Sequence, residues 1–429
     1  MNSPIVRYSP IDLGFWTTWI GFVLFLAVAP IIFHSNLALT ILSQIGTVVI
    51  AALSYNMLLG QTGMLSFGHA VYGGMGGFIA IHAMNLVTAG TLWIPTSLIP
   101  LVGGLGGAFF GVLFGYVTTK RSGTTFAMIT LGIGELVASS ALTFPEFFGG
   151  EAGITTNRVI GNPVLGITYG PQIQVYYLIA VWLVICTIGM YAFTRTPLGR
   201  IANAVRDNPE RAEFIGYNTQ IVRFLVVILA GFFAGVAGGL GAINFEIVSS
   251  ENVGTARSGS LLLFTFLGGV GTFFGPIIGA VIYVFSLVLL SNITQAWGLY
   301  VGLVFIIVVM YAPGGIASLI LLNLRVARYG YFKRLVPAYG IVLVAATPLF
   351  LGISTLIEMI YALQLDVGNG TITKVYGVTL DVAKALPWCA AAALSLAGAI
   401  AFYFAQRIFR GRWEQIHTDL EARQQASGS

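Results

Sequence analysis

Glu135 lies near the middle of an apolar, otherwise uncharged stretch, Thr124–Leu142. A carboxyl at membrane depth could relay protons or hydrogen-bond a neighbouring helix, and on insertion scales its charge costs at least about 2.5 kcal/mol. It is therefore expected to face the interior, neutral or paired. His69 and His82 have no Cys or carboxylate neighbours, so no metal site is expected. His69 reads instead as a polar lining or backbone-capping group, and Glu358 as a solvated helix end. No lysine follows a glycine, since Lys120, Lys333, Lys374 and Lys384 follow Thr, Phe, Thr and Ala. A Walker A loop is thus absent. The run Gly268–Gly275 lacks dinucleotide-fingerprint spacing and any βαβ context. The chain reads as a non-enzyme without a bound cofactor, and any ATP drive must come from a separate subunit.

The elements that hold these groups follow from composition. The chain has 429 residues, 57% of them hydrophobic and only 8% charged, with a mean hydropathy of +0.90. From Ser258 to Leu324 there is no Asp, Glu, Lys or Arg. A bilayer admits only helices or closed barrels, and barrel strands would alternate polar with apolar residues. No alternation is present, so the fold class is an all-α polytopic membrane protein of about ten spanning helices. The apolar runs are Phe15–Phe33, Leu37–Leu59, Gly63–Leu86, Ile94–Thr118, Thr124–Leu142, Val175–Phe193, Phe224–Phe245, Leu299–Leu322, Val336–Ile357 and Leu386–Gln406. The first reads as a retained span, because Pro30 follows the cleavage-like Ala27-Val28-Ala29 and the run is long. Cys186 and Cys389 lie in apolar stretches and indicate no disulfide framework. The net charge of +5 is the inner-side excess of such a chain, and nucleic-acid binding is not expected.

That excess orients the chain. With the N-terminus cytoplasmic, of the 20 Lys and Arg only Arg158, Arg257, Lys374 and Lys384 fall outside. The same orientation makes Ser258–Trp297 a glycine-broken down-and-up hairpin with its turn near Gly275-Pro276. A second interruption spans Gly60–Gly77. Paired interrupted segments point to a translocation path, because unwound backbone is tolerated where it lines a cavity. The candidate path residues are Gly60, Gly63, Ser66, Gly68, His69, Glu135, Gly268, Gly269, Gly271, Gly275 and Pro276. Stripes of glycine every fourth residue, at Gly103/107/111/115, Gly231/235/239 and Gly271/275/279, also suit close helix packing.

Eight charged residues crowd Arg195–Arg223, between two apolar runs: Arg195, Arg200, Arg206, Asp207, Glu210, Arg211, Glu213 and Arg223. Ile201, Ala204 and Val205 recur at helical spacing, predicting a short amphipathic cytoplasmic helix. Such a helix could lie on anionic lipid or be gripped by another protein.

The run Thr196-Pro197-Leu198-Gly199-Arg200 through Ala212-Glu213-Phe214-Ile215-Gly216 resembles the cytoplasmic loop of branched-chain amino-acid ABC permeases, specifically the LivM-like half. The segments Gly60–Ala70, Phe232–Leu240, Leu267–Ala280 and Met310–Gly315 agree, so the resemblance spans roughly residues 15 to 322 in order. It implies a multi-pass subunit of the bacterial cytoplasmic (inner) membrane. Its implied partners are a LivH-like second permease, two cytoplasmic ATPase subunits and a periplasmic substrate-binding protein. It also implies that the loop couples to the ATPase, with Arg200, Ala204, Asp207, Asn208, Ala212 and Gly216 as the candidate surface. Leucine-type and aromatic amino acids, amides and urea are all carried by such systems.

The resemblance ends near Leu322. A permease core over 1–324, an additional transmembrane hairpin over 325–409 with an outer loop carrying Asp366, Lys374, Asp381 and Lys384, and a polar, frayed cytoplasmic tail over 410–429 are expected. The acidic-loop wording of the family is altered at Gly149–Ile154. Two other classes fit a glycine-rich, charge-poor path: a proton-coupled secondary transporter using Glu135, and a passive channel for a small neutral solute. Neither accounts for the charged loop.

Overall fold

The computed structural model describes residues 13–159, 167–328, 330, 332–364 and 372–428. Among these, nine helices are long and apolar enough to cross a membrane, or ten if the bent pair Trp297–Tyr311 and Gly315–Arg328 is one span. They form an all-α polytopic membrane protein, and among the described residues the sheets are two small two-stranded pairings. The helices are α1 (Leu13–Ile32), α2 (Asn36–Thr62), α3 (His69–Thr88), α4 (Ile99–Thr118), α5 (Gly123–Thr143) and α6 (Pro145–Phe148). Then come α7 (Gln172–Arg195), α8 (Pro197–Asp207), α9 (Pro209–Phe214), α10 (Thr219–Phe245), α11 (Thr255–Gly268) and α12 (Gly275–Phe285). The last are α13 (Ser291–Ile293), α14 (Trp297–Tyr311), α15 (Gly315–Arg328), α16 (Phe332–Gln364) and α17 (Ala385–Gly428).

Two compact units result, one holding the chain up to Val288 with Val308–Ala317, the other holding Leu289–Ile307 and Ser318 onward. In the first, glycines bring the backbones of α3, α4 and α10 into direct contact. A Cβ added to Gly76 would lie 2.5 Å from the Gly235 Cα and 2.6 Å from the Gly103 carbonyl oxygen. One added to Gly103 would lie 2.7 Å from the Gly235 carbonyl oxygen. The α4 and α10 glycine stripes therefore face each other, and van der Waals contact between backbones replaces the hydrophobic drive that lipid cannot supply. The third stripe differs from expectation. Gly271 lies outside any helix, in open space, and it is Gly268 on α11 that faces Gly275 and Gly279 on α12.

On the side where α10 ends, β1 (Ile154–Thr155) pairs antiparallel with β2 (Ile247–Val248). Arg158 ties this corner together. Its guanidinium donates to Gln172 at 3.0 Å and to the Gly170 carbonyl at 2.9 Å, and its amide donates to Glu246 at 2.8 Å. The Gly149–Ile154 loop is thus anchored at its end by strand pairing.

Four expected boundaries are corrected. The helix expected from Gly63 starts only at His69. The hairpin turn is Gly269–Phe274, and Gly275-Pro276 opens the returning helix, where proline's missing N–H is harmless. The span Leu299–Leu322 is broken after Tyr311, because Pro313 cannot continue the ladder. The tail expected to fray after residue 410 is helical to Gly428.

In the second unit, α16 and α17 pack as a hairpin in which a Cβ on Gly352 would meet the Ser395 amide nitrogen at 2.6 Å. The connection between them holds a pair of strands, β3 (Ile372–Val375) and β4 (Val378–Asp381), and a Lys384–Asp381 ion pair at 3.3 Å. Asp366 falls outside the described residues. Glu358, expected to be a solvated helix end, accepts from Thr294 at 2.6 Å and from Tyr300 at 3.0 Å.

Candidate functional site: the polar helix pair and the unwound segment

The charged island folds as two helices where one was expected. Each starts with an oxygen-bearing cap followed by proline. Thr196 Oγ1 accepts from the Gly199 amide at 3.2 Å ahead of Pro197, and Asn208 Oδ1 accepts from the Arg211 amide at 2.9 Å ahead of Pro209. Capping satisfies amides that the first turn leaves free, and proline at the first helical position is preset for the turn. Along α8, Gly199, Ala202 and Val205 are buried while Arg200, Ala204 and Asp207 are exposed. The same surface continues through Asn208 and Gly216. Ala212, on α9 itself, does not share it, being buried where a surface position was expected. Next to these lie two apolar side chains that sequence reasoning passed over: Phe214 is 89% exposed and Ile215 67%.

The inner edge of α8 is bound to the end of α2. Asn203 donates to the Gln61 side chain at 2.9 Å, and the Arg206 guanidinium donates to the Gly60 carbonyl. Gly60 also packs against the α11–α12 turn, where an added Cβ would lie 3.0 Å from the Val270 carbonyl oxygen. Both interrupted segments therefore meet the charged helix pair at one glycine. Around them, Phe273 packs edge-on against Tyr191 of α7 at 5.2 Å, and Phe274 against Trp19 of α1 at 6.4 Å.

From Gly63, whose φ of 67° ends α2 in the left-handed region that glycine enters without strain, the chain runs unwound to Gly68. Its backbone is satisfied by side chains. Tyr55 holds both the amide and the carbonyl of Ser66, and the Phe67 amide donates to Thr130 at 3.2 Å. Where α3 begins, the Ala70 amide donates to Ser258 at 3.0 Å. Unwound backbone inside a membrane requires such partners, since lipid offers none. His69 is fully buried, bonded through Nε2 to Ser54 at 2.9 Å and flanked edge-on by Tyr55 and Tyr72. Its Nδ1 has no hydrogen-bond partner, nor does the Ser66 hydroxyl.

A cavity of about 70 Å³ opens beside this helix start, lined among others by Thr47, His69, Gly73, Gly238, Asn252 and Arg257. Arg257 donates to Tyr283 at 2.9 Å. Of the path candidates, His69 lines this cavity. Gly68 packs at its edge against Thr130 and Gly134 of α5. Gly268, Gly269, Gly275 and Pro276 form the neck of the hairpin, with Gly269 at a φ of 120°. Glu135 is exposed in this chain where an inward position was expected, but it has the expected hydrogen bond to a neighbouring helix. It lies on α5 and accepts from Thr255 at 2.7 Å. Among the described residues no three His, Cys, Asp or Glu side chains come together as a metal site.

A many-helix membrane bundle with unwound backbone in its core and a polar helix pair on its flank is a transport protein. The family model described as "Branched-chain amino acid transport system / permease component" matches residues 37–313, and the chain belongs to that family. It is 28% identical over 297 residues to the high-affinity branched-chain amino acid transport system permease protein LivM of Salmonella typhimurium, covering 62% of this chain and 67% of that one. It is also 28% identical over 265 residues to the fructose import permease protein FrcC of Rhizobium meliloti, covering 54% of this chain and 67% of that one. A third relative, the high-affinity branched-chain amino acid transport system permease protein BraD of Pseudomonas aeruginosa, is 24% identical over 265 residues, 59% of this chain and 82% of its own. No solved structure matches. The chain is a multi-pass membrane permease of the ABC-importer type, a class that works in a membrane complex with ATPase and binding-protein partners.

Proposed function

We propose that this chain is one transmembrane half of an ATP-driven importer of branched-chain or related small amino acids or amides in the bacterial cytoplasmic membrane. It pairs with a LivH-like second permease, two cytoplasmic ATPase subunits and a periplasmic binding protein. The observation that carries this reading is the α8–α9 pair, a polar, partly apolar surface on a chain that otherwise shuns charge. An ATPase seated on Arg200, Ala204, Asp207, Asn208 and Gly216, with Phe214 and Ile215 as apolar anchors, shifts the bundle between inward- and outward-facing states. It can do so only through contact free energy that differs between those states.

The translocation path runs along the unwound segment and the hairpin neck. Gly60, Gly63, Ser66, Gly68 and His69 form one wall, and Gly268, Gly269, Gly271, Gly275 and Pro276 the other. Relatives named for amino acids and for fructose share this scaffold. That breadth supports a path which does not itself select, with selection resting on the binding protein.

The test is purification of the native assembly followed by uptake in proteoliposomes. An ATPase should accompany the chain, and uptake of a leucine-type substrate should stop when nucleotide is exhausted. Uptake that continues without nucleotide, or a preparation free of ATPase, would reject the reading.

A further inference from the structure

We infer that Arg206 is the positioning residue that passes movement of the cytoplasmic helix pair to the point where α2 unwinds; this rests on the reading that an ATPase seats on that pair. The Arg206 guanidinium donates to the carbonyl of Gly60, in the last turn of α2, where carbonyls have left the helical ladder. The carbonyl end of a helix carries partial negative charge, which favours a cation there. Asp207 Oδ1 holds the same guanidinium through Nε and Nη2, both at 2.9 Å, fixing its orientation. The methylene stem lies over Gly63, where a Cβ would be 2.9 Å from the Arg206 Cγ.

One helical turn earlier, Asn203 bonds Gln61, the next residue along α2. Two hydrogen bonds to adjacent residues tie α8 to the α2 end, so a push on α8 cannot be absorbed by rotation of one side chain. Gly60 is backed on its other side by Val270 of the hairpin turn. The adjoining Gly63–Gly68 segment has no helical ladder of its own, and side chains from α2 and α5 hold Ser66 and Phe67. Displacement of α8 therefore goes into the unwound segment and the hairpin turn together. Asp207, on this arrangement, orients Arg206 as well as facing solvent.

Coupling energy distinguishes transmission from mere contact. The measurement is substrate moved per ATP hydrolysed by the complete reconstituted importer. Arg206→Gln should leave the complex assembled on gel filtration and lower that ratio by about tenfold, within the usual span of coupling effects. Arg206→Lys keeps a charge but not the planar fork, so it should recover part of the ratio. An unchanged ratio in an assembled Arg206→Gln complex overturns the assignment. If that variant does not assemble, Asn203→Ala and Gln61→Ala are measured singly and together. A double loss no greater than the single losses supports the tether, whereas additive losses or no loss overturn it. A wild-type chain that binds no ATPase removes the importer reading itself, so the two failures are told apart.

Discussion

The Tyr55 hydroxyl donates to the Ser66 carbonyl at 2.9 Å and accepts from the Ser66 amide at 3.2 Å, so one side chain of α2 satisfies both backbone groups of a residue in the unwound segment. Removing that hydroxyl leaves a buried N–H and C=O without partners, at about 1–3 kcal/mol for each group. Tyr55→Phe, which keeps the ring and its packing on His69, should lower the thermal unfolding midpoint of the detergent-purified complex by several degrees. A midpoint equal to wild type would mean that the segment finds other partners and that Tyr55 does not hold it.

The facing glycines make a steric prediction. A Cβ at Gly235 would lie 2.9 Å from the Gly107 Cα and meet the Gly103 carbonyl, with backbone on every side and nothing flexible to yield. Gly235→Leu should force α4 and α10 apart at a cost of about 1–3 kcal/mol or more, as overpacking does. Gly132→Ala, where a Cβ meets nothing within 4 Å, should be close to neutral. Membrane accumulation and detergent melting of the two variants check this. Equal behaviour would remove the claim that the stripe is a contact between backbones.

Much of this architecture was legible in the sequence, because length and lack of charge suffice to mark spans and a charged island marks a polar connection between them. What could not be read was where an interrupted helix resumes. Gly63–Leu86 reads as one apolar run, yet the helix begins only at His69, and Gly73, Gly76 and Gly77 pack there on backbone of Ala234, Gly103, Gly235 and Gly238, distant in sequence. Pro276 was read as a turn when it opens a helix. Arg206 went unnoticed as a site because its partner, Gly60, is 146 residues away. A readable signal was missed as well: Thr196-Pro197 and Asn208-Pro209 are two start signals and therefore two helices.

Glu135 separates the importer from a proton-coupled transporter. Its carboxylate accepts from Thr255, and an amide oxygen can accept the same bond. Glu135→Gln should therefore preserve ATP-driven uptake. In vesicles without ATP, a pH gradient should drive no uptake by either wild type or variant. Gradient-driven uptake that vanishes in Glu135→Gln would establish the proton-coupled mechanism in place of the importer.

The α8–α9 surface combines charge with apolar anchors, and the two should fail differently. Arg200 and Asp207 are exposed, so reversing either charge acts mainly on steering and register. Phe214, almost wholly exposed in this chain, has the size and position of an interface anchor, and truncating such an anchor typically costs about 2 kcal/mol or more of binding. Arg200→Glu should weaken ATPase association in a manner relieved by raising salt, because screening shortens the reach of like-charge repulsion. Phe214→Ser should weaken association at every salt concentration. Asp207→Arg should do more than Arg200→Glu, since it also removes the partner that orients Arg206 at 2.9 Å. Binding of the isolated ATPase to nanodisc-embedded permease, titrated across ionic strength, resolves all three. If every variant binds as wild type does, the ATPase seats elsewhere and the helix pair lies on lipid.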